Sequence, residues 1–242
     1  MTRWMRLVHK WLGLLVAAQF VVWMGSGLVM ALLDQQTVRG TRQQAEPAGA
    51  GAWPAGLRSP GEVIRTHGAP VLSLETGWLA GAPVYRLVDP QRAQVVDARN
   101  GAPLIIDARR AAAIAQADYA GNGALGEPVL LIEPTLEVRA HEGPIWRIDA
   151  NDSQSSTVYV SAWDGRVLER RNASWRIFDV AWMLHIMDYR GRSDFNHALV
   201  IAFATGGLWL TLSGWWLLLV SLRADLVRSQ RTRREALTNP AP

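Results

Sequence analysis

The sequence predicts an α+β protein, with one mixed domain held outside the cytoplasm between two transmembrane helices. Three observations predict it. Two uncharged runs of 23 residues, 11–33 and 198–220, lie near the ends of a 242-residue chain. Basic residues crowd the outer flank of each run. Between the runs the sequence repeats itself, and each half reads as a helix followed by strands around a tight turn.

Composition sets the outer bounds. The chain is 49% hydrophobic and 19% charged, with 12 Trp and no Cys. A chain this apolar is no disordered polymer. Without cysteine it has no disulfide frame, no zinc–thiolate site, no thiol nucleophile and no covalently attached haem.

The first run has only Gln19 and Ser26 as clear polar interruptions. At about 1.5 Å per residue it is about 35 Å long, enough for a hydrocarbon layer of roughly 30 Å. It is longer than a signal-peptide core of roughly 7–15 residues, and no Ala-x-Ala site follows within a few residues of its end, so a retained helix is expected. In the second run Thr205, Thr211 and Ser213 are small enough to bond back to the helix backbone.

Arg3, Arg6 and Lys10 precede the first run with no acid, and five Arg follow the second against Asp225 and Glu235. Residues 34–197 carry 17 Arg and 19 acids, a net of −2. The positive-inside rule then puts both termini in the cytoplasm and the middle in the periplasm of a bacterial inner membrane. The basicity is a topology signal. It lacks the basic stripe on a folded domain that nucleic-acid binding needs.

The expected organisation runs as follows. Residues 1–34 form the cytoplasmic N-terminus and first span, and 35–58 a linker rich in Gln, Arg, Ala, Gly and Pro. Residues 59–172 form the periplasmic domain, and 173–196 an interfacial helix and turn. Residues 197–222 form the second span and 223–242 a basic cytoplasmic tail. Within the domain, Ser59, Pro60 and Glu62 spell a helix start with a capping box. Strands are expected at 71–76, 84–89, 94–98 and 103–106, with Asn100-Gly101 as a tight turn. Asp107 is expected to cap a second helix. Further strands are expected at 129–132, 136–140, 145–150 and 157–161, with Asp164-Gly165 as the matching turn.

In the repeat, `APVYRLVD…AQVVDARNGAPL` aligns with `GPIWRIDA…TVYVSAWDGRVL`. Pro83 falls on Pro144, Tyr85 on Trp146, Arg86 on Arg147 and Gly101 on Gly165. The offset grows from 61 to 64 across the polar insert `NDSQSS`. Neither half closes a core alone, so the two are expected to pack as one unit of about 110 residues.

The unit `PVYRLVD…VVDARNGAPL` resembles the PepSY domain. `RLVHKWLGLLVAAQFVVWMGSGLVM`, with His9, Trp11 and Gly13, resembles the first helix of PepSY-associated transmembrane proteins. `WMLHIMDYRGRSDFNHALVIAFATGGLWLTLSGWWLL`, with Leu184-His185 and Ser213-Gly214, resembles the segment that follows their soluble domain. The resemblance covers the chain apart from the linker and tail, and it implies a tandem PepSY-like domain between two membrane helices. Larger members look like inner-membrane proteins that reduce ferric siderophores or pass electrons to flavin domains. They use b-type haem between helix histidines and have four membrane helices. Two helices here imply an accessory subunit of an electron-transfer or ferric/flavin-reducing complex, not an enzyme on its own. The alternative is a non-enzymatic scaffold or regulatory subunit that binds no cofactor. The partner is then a larger inner-membrane complex or a second copy of this chain.

Five histidines bear on these readings. His67, at a helix end, and His141, in a polar turn, read as surface residues. His9 reads either as an interfacial anchor beside Trp11 or as a haem ligand completed by another subunit. His185 and His197 sit six residues either side of Gly191. A chain reversal there brings them level on adjacent helices, as bis-imidazole haem ligation needs. In one continuous helix they would be about 18 Å apart. Otherwise they hydrogen-bond Asp188, Asp194 or a neighbour. Trp23, Trp209 and Trp215 are candidates to stack on a porphyrin or quinone ring, or are plain packing. Gly25 and Gly27 against Gly206, Gly207 and Gly214 suit close helix contact. Asp97, Asp107 and Asp118 read as turn and helix caps.

Overall fold

The computed structural model describes residues 2–46 and 52–238, with side chains from 3 to 230. The chain divides into two compact units, residues 1–30 with 180–242, and residues 31–179.

The first unit contains two helices long and apolar enough to cross a membrane. They are α1, Thr2–Leu32, and the later α6, Ala198–Thr238. Two crossings return the chain to the side where it began, so both ends share a side. At about 1.5 Å per residue, the 41 residues of α6 span about 60 Å. The helix therefore continues without a break through residues 223–238 of the expected tail.

The second unit is the mixed α+β domain. Its elements are α2 Gln35–Val38, α3 Pro60–Thr66, β1 Ser73–Leu79, β2 Ala82–Val88, β3 Ala93–Asp97 and α4 Ala108–Asp118. Then follow β4 Ala124–Leu125, β5 Val129–Leu131, β6 Ile145–Asn151, β7 Thr157–Ser161 and β8 Val167–Arg171. Helix α5, Ala173–Ile186, leads out of the domain.

The two halves share a helix followed by a three-stranded antiparallel core, to which the second adds β4 and β8. One antiparallel sheet has the order β1-β2-β3, and the other has β4-β6-β7-β8 with β5 also on β6. Val84 pairs with Asp97 in the first, and Ile145 with Ser161 in the second, which is the sequence offset at both ends of the ladder. The Ala98 N–H donates to the Pro83 carbonyl at 3.1 Å, and the Ala162 N–H to the Pro144 carbonyl at 3.0 Å. Gly101 donates to Asp97 O at 2.8 Å and Gly165 to Ser161 O at 3.0 Å, with φ of 74° and 69°. Tyr85 donates its hydroxyl to Arg58 O, just before the Ser59 cap of α3. Trp146 donates its indole N–H to Ile106 O, just before the Asp107 cap of α4.

Alternation along β2 buries the first sheet on both faces. Tyr85 and Leu87 pack with Val63 of α3, while Val84 and Val95 join a core with Ile114 of α4 and Ile148, Val158 and Val160 of the second sheet. One continuous core thus joins the halves, because neither sheet has two helices to cover it.

Three expectations need correction. The strand at 103–106 shrinks to one bridge, Val96 to Pro103, because beyond Leu104 the chain leaves β3, with Ile106 drawn into the core shared by both halves and its carbonyl taken by the Trp146 indole. The strand at 136–140 is a 3-10 turn at Leu136–Val138. Val138 is drawn into a small core with Ile145 and Tyr159, and Glu137 turns to take the Tyr159 hydroxyl and the Arg176 guanidinium. The expected linker is not bare chain over 35–46, although residues 47–51 lie outside the described residues. Asp34 caps α2, Val38 is buried, and Gln44 bridges to Tyr119.

The polar insert that stretches the repeat offset holds this arm. Asp152 accepts from the Tyr119 hydroxyl at 2.7 Å and from Gln43 Nε2 at 3.2 Å. Ser156 donates to Gln43 Oε1 at 2.6 Å. Asn172, 3% exposed, donates from Nδ2 to Thr37 O at 2.6 Å and caps α5 by accepting from Trp175 N–H. The incoming arm and the outgoing helix are thereby fastened to each other.

Candidate functional site

The polar side chains of the span in α1 share one face with the buried Val16. His9, Val16, Gln19, Trp23 and Ser26 recur at spacings of three, four and seven, which a helix puts on one side.

His9 Nδ1 lies 2.8 Å from Ser213 Oγ of α6. A Cβ on Gly214 would sit 3.5 Å from His9 Cε1, and the Trp209 ring lies 6.3 Å from the imidazole. His185 Nδ1 lies 3.1 Å from Ser26 Oγ, and a Cβ on Gly27 would sit 3.5 Å from His185 Cε1. The two sites share a plan, with an imidazole held by a serine and seated against the next glycine. Along α1, residues 9 and 26 are about 25 Å apart, so the pairs lie at opposite ends of the span.

Each serine also lies 3.1 Å from the carbonyl three residues earlier, Ser26 to Trp23 O and Ser213 to Leu210 O. When the hydroxyl proton points to that carbonyl, the imidazole must donate from Nδ1. Nε2 then carries the lone pair, which is the tautomer that ligates a metal. When the proton points to Nδ1, the imidazole is a donor at Nε2. Between the pairs, the buried Gln19 Nε2 and Trp23 Nε1 have no hydrogen-bond partner among the described residues.

The chain does reverse between α5 and α6, but His185 and His197 take different partners. His197 Nε2 lies 2.9 Å from Ile186 O, the end of α5. Neither histidine is bonded to Asp188 or Asp194. Asp188 instead builds the turn, accepting the N–H groups of Arg190, Gly191, Ser193 and Asp194. Those bonds, the Ser193 N–H first, hold its carboxyl below the ordinary range. The expected glycine-to-glycine contact is absent. Cβ atoms on Gly25 and Gly207 would meet nothing within 4 Å, and Gly206 faces Leu12 and Val16. Two of the five glycines serve instead as seats for histidine rings.

The domain's histidines are paired with acids. His67 is not a surface residue. Its side chain is 10% exposed and its Nε2 stands 3.5 Å from Asp89, because the C-terminus of α3 packs on the turn after β2. His141 lies 3.0 Å from Glu169, with 27% of its side chain exposed. Asp97 and Asp107 cap turn and helix, accepting from Arg99 and Arg110 N–H, while Asp118 pairs with Arg170.

Sequence reasoning missed the serine partners of His9 and His185. Ser26 and Ser213 were visible as polar breaks in apolar runs, which is the signal that finds them. Among the described residues, no three His, Asp or Glu side chains are grouped to hold a metal ion. Compared with protein-family models, curated proteins and solved structures, the chain matches none of them.

Proposed function

We propose that this chain is a non-enzymatic scaffold or regulatory subunit of a larger inner-membrane complex. Its termini lie in the cytoplasm and its tandem PepSY-like domain in the periplasm. One observation carries the reading. The two spanning windows are only 11% and 6% buried, and a Cβ on Gly25 or Gly207 would meet nothing within 4 Å, so both helices present open, small-residue faces. Small residues open on a membrane helix let another helix approach closely, so these faces favour association with other membrane segments. A second copy of the chain would supply the same faces. The shared α-β-β-β plan of the two halves supports the PepSY-like assignment.

Mild detergent extraction from native membranes, followed by cross-linking and mass measurement, tests this. The expected result is a cross-linked assembly that is lost in a Gly25→Leu/Gly207→Leu variant. A fully active monomer with no cross-linked neighbour refutes it.

The two serine–histidine pairs favour a second reading, in which His9 and His185 would hold two separate b-type haems, one toward each end of the span, each completed by a ligand from another subunit of such a complex. Their arrangement fits imidazole ligation, since Nδ1 is held and Nε2 is left as the ligating atom. His197 takes no part in this reading, because its Nε2 is committed to the Ile186 carbonyl. An oxidised-minus-reduced spectrum of the complex with His9→Ala and His185→Ala variants tests it. A b-type band unchanged in both variants excludes these ligands.

A further inference from the structure

The repeat places an arginine at the same position in both halves, but the two are neutralised differently. In the second half, Arg147 Nε lies 3.0 Å from Asp149, two residues on and on the same face of β6. In the first half the acid comes one residue later, as Asp89. A shift of one residue in a strand moves a side chain to the opposite face. Asp89 therefore turns to His67 and the N–H groups of Gln91 and Arg92.

Arg86 is left without an acid. Among the described residues no carboxylate lies within 4.0 Å of it. It donates to two carbonyls, from Nη2 to Trp78 O at 3.0 Å and from Nε to Asp164 O at 3.3 Å. Nη1 has no acceptor there. It lies over Gly77, where any Cβ would collide with it. Burial lowers the Arg86 pKa from its ordinary value, with the charge of Asp164 opposing. A partly desolvated cation with unused donors is costly unless an anion meets it.

Arg86 lines a cavity of about 460 Å³ where the two halves meet. Arg166 and Arg170 also line it, against Asp118 as the lining acid. Arg166 is already paired with Glu75 and Asp164, and Arg170 with Asp118, which leaves Arg86 as the uncommitted charge. Leu79, Ile114 and Val167 give the cavity an apolar wall.

We propose that this cavity binds a carboxylate carried beside an apolar side chain, with Arg86 reading the charge. That chemistry belongs to the C-terminal residue of a peptide and to a small branched organic acid. The site is independent of the assembly reading above, since all its residues lie within the domain.

The test uses the full chain in nanodiscs and isothermal titration calorimetry. The probes are N-acetyl-alanyl-leucine, its C-terminal amide, and 3-methylbutanoate. The free-acid dipeptide should bind at least about tenfold more tightly than the amide, since a charged hydrogen bond contributes about 1.5–3 kcal/mol. Arg86→Met should lower acid affinity by a similar factor, and Arg147→Met should leave it unchanged. Ala80→Asp is the second variant, in case Arg86→Met does not fold. Ala80 lines the cavity at φ 45°, a conformation that Asp tolerates, so the variant supplies an internal carboxylate without refolding the turn. It should weaken acid binding too. A dipeptide preferred over 3-methylbutanoate assigns the site to peptides, and equal binding assigns it to small acids. No binding by either acid, acid and amide bound alike, or acid binding untouched by Ala80→Asp overturns the proposal.

Discussion

Gly101 and Gly165 provide a controlled experiment within one chain. Both end the same turn, both have positive φ, and both donate the same backbone hydrogen bond. An alanine at either place must adopt the left-handed conformation, which costs about 1–2 kcal/mol. Their surroundings differ. A Cβ on Gly101 would find Arg58 Cδ at 3.5 Å, ordinary contact with a movable side chain. A Cβ on Gly165 would stand 2.6 Å from Leu79 Cδ1, 3.1 Å from Ile106 Cδ1 and 3.2 Å from Ile114 Cδ1. Those three residues are at most 7% exposed and belong to the core joining the halves, and although Leu79 and Ile114 also line the cavity, the Cβ presses on all three at once, so relief requires a concerted shift of core side chains. Overpacking there adds about 1–3 kcal/mol. Gly101→Ala should therefore destabilise the domain by about 1–2 kcal/mol and Gly165→Ala by about 2–5 kcal/mol. Urea unfolding of the full chain in detergent micelles, followed by far-UV circular dichroism, measures both. Equal costs, or a larger cost at Gly101, would refute the claim that the second turn is wedged into the shared core.

Asn172→Ala should release the arm, because it removes both the bond to Thr37 O and the cap of α5. A loss of about 1.5–3 kcal/mol is expected, with faster tryptic cleavage at Arg39 and Arg42 than in the parent chain. Acid should destabilise the domain through Asp89. The Arg92 and Gln91 N–H groups hold its folded pKa below the ordinary 3.8, so its stabilisation is complete above that value and is lost as pH falls through the lower folded value. An Asp89→Asn variant should lose that part of the pH dependence in acid titrations followed by circular dichroism, and an unchanged profile would assign the effect elsewhere. A phosphatase reporter fused at Gly49, outside the described residues, should be active only on the outer side of the membrane.

The two apolar helices and the repeat were legible in the sequence, and the direction of the spans is an expectation that the Gly49 reporter tests. Each is a local signal. Length and the absence of charge define a span, flanking Arg and Lys define a side, and period-two alternation around Asn-Gly and Asp-Gly defines hairpins. The Ser59 capping box and the Asp107 cap formed as the sequence indicated, because a cap needs only the next three residues. What failed depended on neighbours far along the chain. Residues 35–46 carry no periodic pattern, and order arises there because residues 119, 152, 156 and 172 meet them. Leu136–Val138 had the composition of a strand, but Val138 and Glu137 found better partners in the second sheet and α5.

The same division holds for the candidate sites. Sequence identified His9, His185 and His197 as the side chains to watch. Only tertiary structure decided that His9 faces Ser213, that His185 faces Ser26, and that His197 turns to a carbonyl, because a rotation of a few tens of degrees about a helix axis changes which residue is opposite. The aligned Arg86 and Arg147 looked equivalent as letters. Folding made them different, because a one-residue displacement of the following Asp turns its carboxylate through the sheet and leaves one arginine with an acid and the other facing a cavity.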